Sequence, residues 1–191
     1  KNRGHGDDIL NVNTSKTNKR LYGNGILEEA GPELLEGEQT LSNISDAQVG
    51  SNLTSLETEL HTALYELVES GFAQLQIDGD WLEIELNSAL LFPSGSASAT
   101  NSAKSILSVI FDVIGEASNF VRVRGYTDNQ AIRTEIFSSN WELSVSRATA
   151  ILRMLETLGM NPARMAIEGY GKYYPTADNA TAQGREKNRK V

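Results

Sequence analysis

The sequence has no cysteine among its 191 residues. Disulfides and thiolate metal sites are therefore excluded, while the compartment stays open because exported proteins also often lack cysteine. Long apolar runs are missing too. The longest, residues 106–114, is interrupted by Ser108 and Asp112 and is far shorter than the ~20 residues that span a bilayer. The sequence therefore predicts no membrane-crossing helix within this chain.

Positive charge is scarce: 17 Lys and Arg stand against 25 Asp and Glu, for a net charge of −8. Nucleic acids and anionic membranes are bound by clustered basic residues. The sequence shows no such cluster. Neither nucleic acid nor a membrane surface is therefore expected as the main partner.

Catalytic signatures are also absent from the sequence. The only histidines are His5 and His61, and they form neither a zinc-ligand cluster nor a pair with a nucleophile motif. Paired carboxylates suited to glycoside hydrolysis are not identifiable either. A cell-wall hydrolase was the enzymatic alternative, and we instead expect a binding protein without metal or cofactor.

The first 47 residues are rich in Asn, Gly, Lys, Asp and Glu and have no sustained apolar period. Such a segment buries too little surface to offset its ordering entropy, so we interpret residues 1–47 as a linker, flexible or partly ordered. The chain opens at Lys1 without a signal sequence. We therefore expect a mature protein or a soluble fragment of a longer one.

Residues 48–71 are predicted to form an amphipathic helix, because leucines and other apolar residues recur at intervals of three and four from Leu53 to Val68. The apolar stripe could pack on the same domain or on a second copy of the chain. The sequence leaves both alternatives open.

Residues 72–191 read as one α+β domain. Alternating runs at 72–77 and 81–86 flank Asp78-Gly79-Asp80, a strong hairpin signal. A helical stripe at 103–114, a strand at 120–125, a long helix and a short strand at 165–169 follow. The long helix is predicted to open at a Ser139–Glu142 capping box and to stop at Gly159. This order predicts a mixed sheet covered by helices on one face.

Two charged residues stand out in this domain. Asp128 follows a predicted strand, and Arg147 lies at the edge of the apolar stripe of the long helix. A partly buried guanidinium needs carboxylate or carbonyl partners. One interpretation is a structural Asp128–Arg147 salt bridge that pins helix to sheet. The other is a site for a zwitterionic ligand, in which the carboxylate accepts from an ammonium and the guanidinium binds a carboxylate.

Several short motifs occur in a fixed order across residues 72–191. The sequence resembles the OmpA-like peptidoglycan-binding domain in these motifs: VRVRGYTD at 121–128, Asn140, Leu143-Ser144, Arg147-Ala148, Gly169-Tyr170-Gly171, Pro175, Ala177-Asp178-Asn179, Gly184-Arg185 and Asn188-Arg189.

The resemblance implies a βαβα(β) sandwich that binds the peptide stem of peptidoglycan noncovalently. It implies that Asp128 and Arg147 take the amino and carboxyl groups of diaminopimelate. Further residues would line or shape the pocket, and two would lie at its rim. The lining set is Thr127, Asn140, Leu143 and Ser144, and the rim set is Asn188 and Arg189. Gly169-Tyr170-Gly171 is expected to be a backbone turn without a chemical role.

The stretch SSNWELS at 138–144 is similar to the flagellar motor stator B subunits of the MotB and PomB type. Those proteins have one N-terminal membrane helix, a linker and this domain. The resemblance implies a periplasmic homodimer that anchors the stator to the cell wall, with an inner-membrane helix upstream and a membrane-embedded stator A subunit as partner. The alternative is a wall tether of an outer-membrane protein or lipoprotein of the OmpA/Pal type.

Three smaller expectations complete the prediction. Members of this family continue into a further strand after the last motif, so the chain is expected to reach at most the first residue of that strand. Trp141, in the first turn of a helix, is interpreted as a packing residue, with a ligand platform as the alternative. Phe92 could be core or pocket wall.

Overall fold

The computed structural model describes residues 52–191. The predicted linker at 1–47 and the start of the predicted helix at 48–71 lie outside this part of the chain. Helices and strands alternate through the described residues. In chain order they are α1 (Leu53–Ala63), α2 (Tyr65–Glu69), β1 (Ala73–Asp78), β2 (Trp81–Leu86), α3 (Ser88–Leu91), α4 (Asn101–Ile114), β3 (Val121–Tyr126), α5 (Asn140–Leu158), a 3₁₀ turn (Pro162–Arg164), β4 (Met165–Gly171) and α6 (Ala182–Asn188).

Strands β1 and β2 form the predicted antiparallel hairpin, with Ala73 opposite Leu86 and Asp78 opposite Trp81. Gly79 turns the chain at a φ of +58°, a conformation that glycine adopts without steric cost. Strands β3 and β4 pair in parallel from Val121 opposite Met165. They are connected through α5, as parallel strands require a crossover.

The two strand pairs meet through the last residues of the chain. Lys190 forms antiparallel bridges to both Asn87 and Tyr126. The backbones of Leu86 and Val191 exchange N–H···O bonds of 2.8 and 3.0 Å. The predicted single mixed sheet is thus present as two two-stranded sheets, because the strand ends of β2 and β3 contact this short segment rather than each other.

The core lies between the sheets and the helices α1, α4 and α5. Leu56, Leu60 and Leu64 are buried, so the apolar stripe of the first predicted helix packs on its own domain. The helix is interrupted at Leu64, which separates α1 from α2. Among residues 52–191, no helix combines the length and apolar character that a membrane span needs.

The helix ends follow their sequence signals. The Thr100 side chain accepts from the Ala103 N–H at the start of α4. Ser139 caps α5 by accepting from the Trp141 N–H at 3.1 Å and contacts Glu142, so the capping box is confirmed. Gly159 ends α5 in the left-handed region at φ +115°, as predicted.

Helix α5 lies directly on strands β3 and β4 because two glycines face it. A Cβ on Gly125 would lie 2.2 Å from the Ser144 carbonyl oxygen, and one on Gly169 would lie 2.3 Å from Cγ2 of Val145. Both distances are far below van der Waals contact. Close approach therefore sets the N-terminal half of α5 against the carboxyl ends of the two parallel strands.

Candidate functional site

The loop after β3 holds a buried carboxylate. Asp128 Oδ1 accepts from the Gln130 N–H at 2.9 Å, and Oδ2 accepts from Nη1 of Arg189 at 2.6 Å. The second bond is charge-assisted. The cationic partner of Asp128 thus comes from the far end of the domain.

Arg147 is buried on α5 with only 3% of its surface exposed. Its Nε donates to the Ser96 carbonyl at 2.8 Å and its Nη2 to the Pro93 carbonyl at 3.4 Å, while the guanidinium carbon lies 5.2 Å from the centre of the Phe92 ring. Within residues 52–191, no carboxylate oxygen lies within 4.0 Å of Arg147. The Asp128–Arg147 salt bridge is therefore not formed, because Asp128 pairs with Arg189 instead.

The electrostatics of Arg147 reflect this environment. Burial, and then the positive charge of Arg189, lower the pKa of Arg147 from 12.5 to about 10, and the Asp128 carboxylate opposes them. The group stays protonated at neutral pH. A buried cation without a carboxylate partner is costly, so an anionic group that reached it would be bound favourably.

Thr127 and Asn140 hold the loop that carries Asp128. The Thr127 N–H donates to the Gly171 carbonyl at 2.8 Å, and its hydroxyl donates to the Asp128 carbonyl at 2.9 Å. The Asn140 amide donates to the carbonyls of Gln130 at 2.9 Å and Asp128 at 3.4 Å. Both residues adjoin the acid, and their polar groups position its backbone.

Leu143 and Ser144 lie in the N-terminal part of α5, which packs on β3 and β4. Both are buried. The Ser144 hydroxyl donates to the Trp141 carbonyl at 2.9 Å and accepts from the Gly171 N–H at 3.0 Å. Its hydrogen-bonding capacity is used inside the protein, so the pair shapes the helix–strand contact rather than presenting polar groups at the surface.

The rim residues differ from each other. Asn188, expected near the rim, is only 1% exposed. Its Oδ1 accepts from the N–H groups of Thr176 and Ala177 at 2.8 and 2.9 Å, and its Nδ2 donates to Ala177 O and Asn179 Oδ1, both at 2.8 Å. Asn188 is buried because its amide organises the 176–179 loop. Arg189, by contrast, is partly exposed beside Asp128.

Sequence reasoning missed the other partners of Arg147. Phe92, for which core and pocket wall were both open, is buried in the core and also lies beside the guanidinium. The carbonyls of Pro93 and Ser96 carry no residue-type signal, since any residue supplies a carbonyl. Lys190 was also missed. Its buried Nζ donates to Glu85 at 2.7 Å and lies 5.3 Å from the Tyr126 ring centre.

A buried cation, a buried anion and a partly exposed second cation thus lie together in an α+β domain with two parallel strands. Comparison with known proteins agrees with that class. The model of the OmpA family matches residues 91–189, and the chain belongs to this family.

Two curated relatives illustrate the range of similar proteins. Motility protein B of Bacillus subtilis is 35% identical over 123 residues, which cover 62% of this chain and 46% of that protein. The outer-membrane lipoprotein YfiB of Pseudomonas aeruginosa is 32% identical over 133 residues, covering 65% of this chain and 71% of the relative. The chain thus spans less than half the length of the motility protein.

Solved structures show the same fold. The cell wall anchor of the T6SS from Pseudomonas aeruginosa is similar with a TM-score of 0.63 and 29% identity, over 69% of this chain and 92% of that one. The periplasmic domain of Helicobacter pylori MotB, residues 90–256, is similar with a TM-score of 0.58 and 26% identity, over 62% and 75% of the respective chains. The α+β class expected from the sequence is therefore confirmed.

Proposed function

We propose that this chain is the wall-binding, periplasmic region of a MotB- or PomB-like stator subunit, and that it anchors the flagellar motor by binding peptidoglycan noncovalently. The observation that carries the proposal is Arg147. It is a buried guanidinium that donates to two backbone carbonyls and lies beside an aromatic ring, and the nearby Asp128 carboxylate only partly opposes the lowering of its pKa.

The chemistry of the site suits the zwitterionic end of diaminopimelate in a stem peptide. The planar fork of Arg147 matches a carboxylate, and the Asp128 carboxylate matches an ammonium. Arg189 already occupies one oxygen of Asp128, so the ligand ammonium would compete with it or share the acid. Thr127, Asn140, Leu143, Ser144 and Asn188 would act by holding the loops in place.

The relatives support the motor assignment within this chemistry. Similar proteins include Motility protein B of Bacillus subtilis and the periplasmic domain of Helicobacter pylori MotB, and a similar structure is a cell wall anchor. By this proposal the full protein acts without catalysis, as a homodimer. An inner-membrane helix would precede the chain and join it to a stator A subunit.

A second candidate is a wall tether of the OmpA or Pal type. It is favoured by the similarity to the lipoprotein YfiB, of which the match covers 71%. The two candidates share the site and differ in what precedes residue 1. A membrane helix with an ion-binding acid would support the stator, whereas a lipidated cysteine or a β-barrel would support the tether.

The test is cosedimentation of the purified chain with peptidoglycan sacculi. We expect the native chain to pellet with sacculi and Arg147→Ala to remain in the supernatant, because the carboxylate of the ligand loses its buried partner. Arg153→Ala is the matched control, since Arg153 lies on the same helix and is exposed. Circular dichroism establishes that each variant is folded.

A conservative variant separates binding from folding. Arg147→Lys keeps the positive charge but loses the planar fork, and we expect weaker binding than the native chain. A soluble stem peptide whose diaminopimelate carboxyl is amidated should bind less well than the free acid. Native-like binding by folded Arg147→Ala, or no binding by the native chain, would contradict the proposal.

A further inference from the structure

Two large aromatic rings lie stacked on the surface where α5 begins and β4 ends. Trp141 in the first turn of α5 and Tyr173 just after β4 have ring centres 4.9 Å apart and planes inclined by 25°. Trp141 is 46% exposed and Tyr173 is 56% exposed. Because each ring restrains the other, the two side chains would lose little conformational entropy when a ligand contacts them.

The polar atoms of this pair are available to a ligand. Within residues 52–191, neither the indole N–H of Trp141 nor the hydroxyl of Tyr173 has a protein hydrogen-bond partner. The nearby Tyr170 differs, since its hydroxyl donates to Glu168 at 2.6 Å. The pair therefore combines apolar ring faces with unused donors at their edges.

The stacked pair shares backbone supports with the loop that carries Asp128. Trp141 follows Asn140, whose amide holds the carbonyls of Asp128 and Gln130. Gly171, whose carbonyl accepts from the N–H of Thr127, lies against the Trp141 ring. A ligand bound beside Asp128 would therefore sit on the same framework as the two rings.

We propose that the Trp141–Tyr173 pair is a saccharide subsite that stacks on the apolar face of an amino-sugar ring of the wall glycan. The inference rests on the proposed function, because that glycan is the polymer to which the stem peptide is attached. A pyranose has a C–H face that suits an aromatic ring and an equatorial rim of hydroxyl and amide groups that suits the free indole N–H and phenol.

The surroundings of the pair favour a sugar over a protein partner. Protein hot spots place aromatic side chains at the centre of a desolvated patch. Here polar groups lie beside the pair: Lys172 Nζ lies 5.7 Å from the Tyr173 ring centre, and Glu142 and Ser139 pair at the start of the helix. The exposed ring of Tyr174 follows directly after Tyr173. Polar groups around exposed rings suit a hydroxyl-rich ligand.

The test uses the full 191-residue chain and two separate probes. One is peptide-free glycan strands released from sacculi by an amidase, and the other is a soluble diaminopimelate stem peptide. Binding is measured by calorimetry and by the fluorescence of Trp141 in a Trp81→Phe background, since the chain has only these two tryptophans. The variants are Tyr173→Ala and Trp141→Ala, and Tyr65→Ala is the control because Tyr65 is 55% exposed on a different helix, α2.

We expect glycan strands to shift the Trp141 emission and to bind Tyr173→Ala roughly three- to tenfold more weakly, the range that a single aromatic contact gives. Stem-peptide binding by Tyr173→Ala should stay unchanged, which also shows that the variant is folded. Tyr65→Ala should bind both probes as the native chain does.

The two probes keep this inference separate from the proposed function. Stem-peptide binding without glycan binding would overturn the saccharide subsite alone. Glycan binding that depends on Tyr173, without stem-peptide binding, would support the subsite and contradict the charged site. Equal losses in Tyr173→Ala and Tyr65→Ala, or a change in oligomeric mass in place of a change in glycan binding, would overturn the subsite.

Discussion

Asp128 and Arg189 are 61 residues apart in the chain and joined by a 2.6 Å charge-assisted bond. The acid is buried and the arginine partly exposed. The bond fastens the C-terminal segment to the loop after β3 and occupies an oxygen that a ligand ammonium would need. Stability and ligand access therefore depend on the same contact.

Replacing Arg189 should separate these two effects. We expect Arg189→Gln to lower the free energy of unfolding by about 1–3 kcal/mol, because a buried carboxylate loses its charged partner. Urea denaturation measures the loss. The double variant with Asp128→Asn should recover part of it in a double-mutant cycle. Strictly additive losses would show that the pair is not coupled.

Asn188 should behave as a structural residue. Its amide makes four hydrogen bonds to the 176–179 loop, so Asn188→Ala should cost about 1–3 kcal/mol of stability by leaving partly buried backbone groups unpaired. Thermal denaturation compares it with Asn129→Ala, an exposed position that should be neutral. Unchanged stability in Asn188→Ala would refute the structural role.

The close approach of Gly125 to α5 predicts that an alanine there lowers the free energy of unfolding much more than an alanine at Gly79. Gly125→Ala would place a Cβ 2.2 Å from the Ser144 carbonyl oxygen, and we expect a loss above about 3 kcal/mol or failure to fold. Gly79→Ala has no atom within 4 Å of the new Cβ and should cost only about 1 kcal/mol for its positive φ. Similar costs would contradict the close-approach argument.

Tyr170 should lose its proton only at unusually high pH, so the stability of the protein should depend on pH in the alkaline range. The hydrogen bond to Glu168, and then burial, raise the pKa of Tyr170 to about 12 from 10. A raised pKa gives stability that is fully present below pH 10 and is lost as the pH rises through about 12. Near-ultraviolet absorbance of the phenolate follows the titration.

Glu168→Gln removes the negative charge that accepts from this hydroxyl. The pKa of Tyr170 should then move down toward 10, and Tyr170→Phe assigns the titrating group by removing it. A pKa of Tyr170 that stays near 12 in Glu168→Gln would show that the negative charge of Glu168 is not its cause.

Local signals in the sequence predict much of this fold. Asp78-Gly79-Asp80 identifies the hairpin, and Ser139 and Gly159 identify the ends of α5, because turn and capping chemistry acts within a few residues. Helix α6 escaped prediction because its sequence, AQGREKN, has no apolar stripe. It is held instead by tertiary contacts such as the close approach of Gly184 to Asp178, where an added Cβ would lie 1.8 Å from the Asp178 carbonyl oxygen.

In the candidate site, too, the sequence indicates some features and leaves others unpredicted. The residue types at Asp128 and Arg147 indicated a charged site, but their partners depend on tertiary contacts. Ser96 lies 51 residues before Arg147, and a carbonyl acceptor leaves no trace in the sequence. Burial of Asn188 likewise follows from the 176–179 loop. Spacing along the chain could not distinguish a rim residue from a loop support.

The bonds made by residues 189–191 affect how the domain would respond to a pulling force. A force that separates the β1–β2 pair from the β3–β4 pair would load their junction, where Lys190 and Val191 bond to Tyr126 and Leu86. Arg189, one residue earlier, holds the acid of the site. The contact with Asp128 and the bonds that join the two strand pairs thus fall on three consecutive residues, and the apolar packing of α1, α4 and α5 would bear such a force in parallel with them.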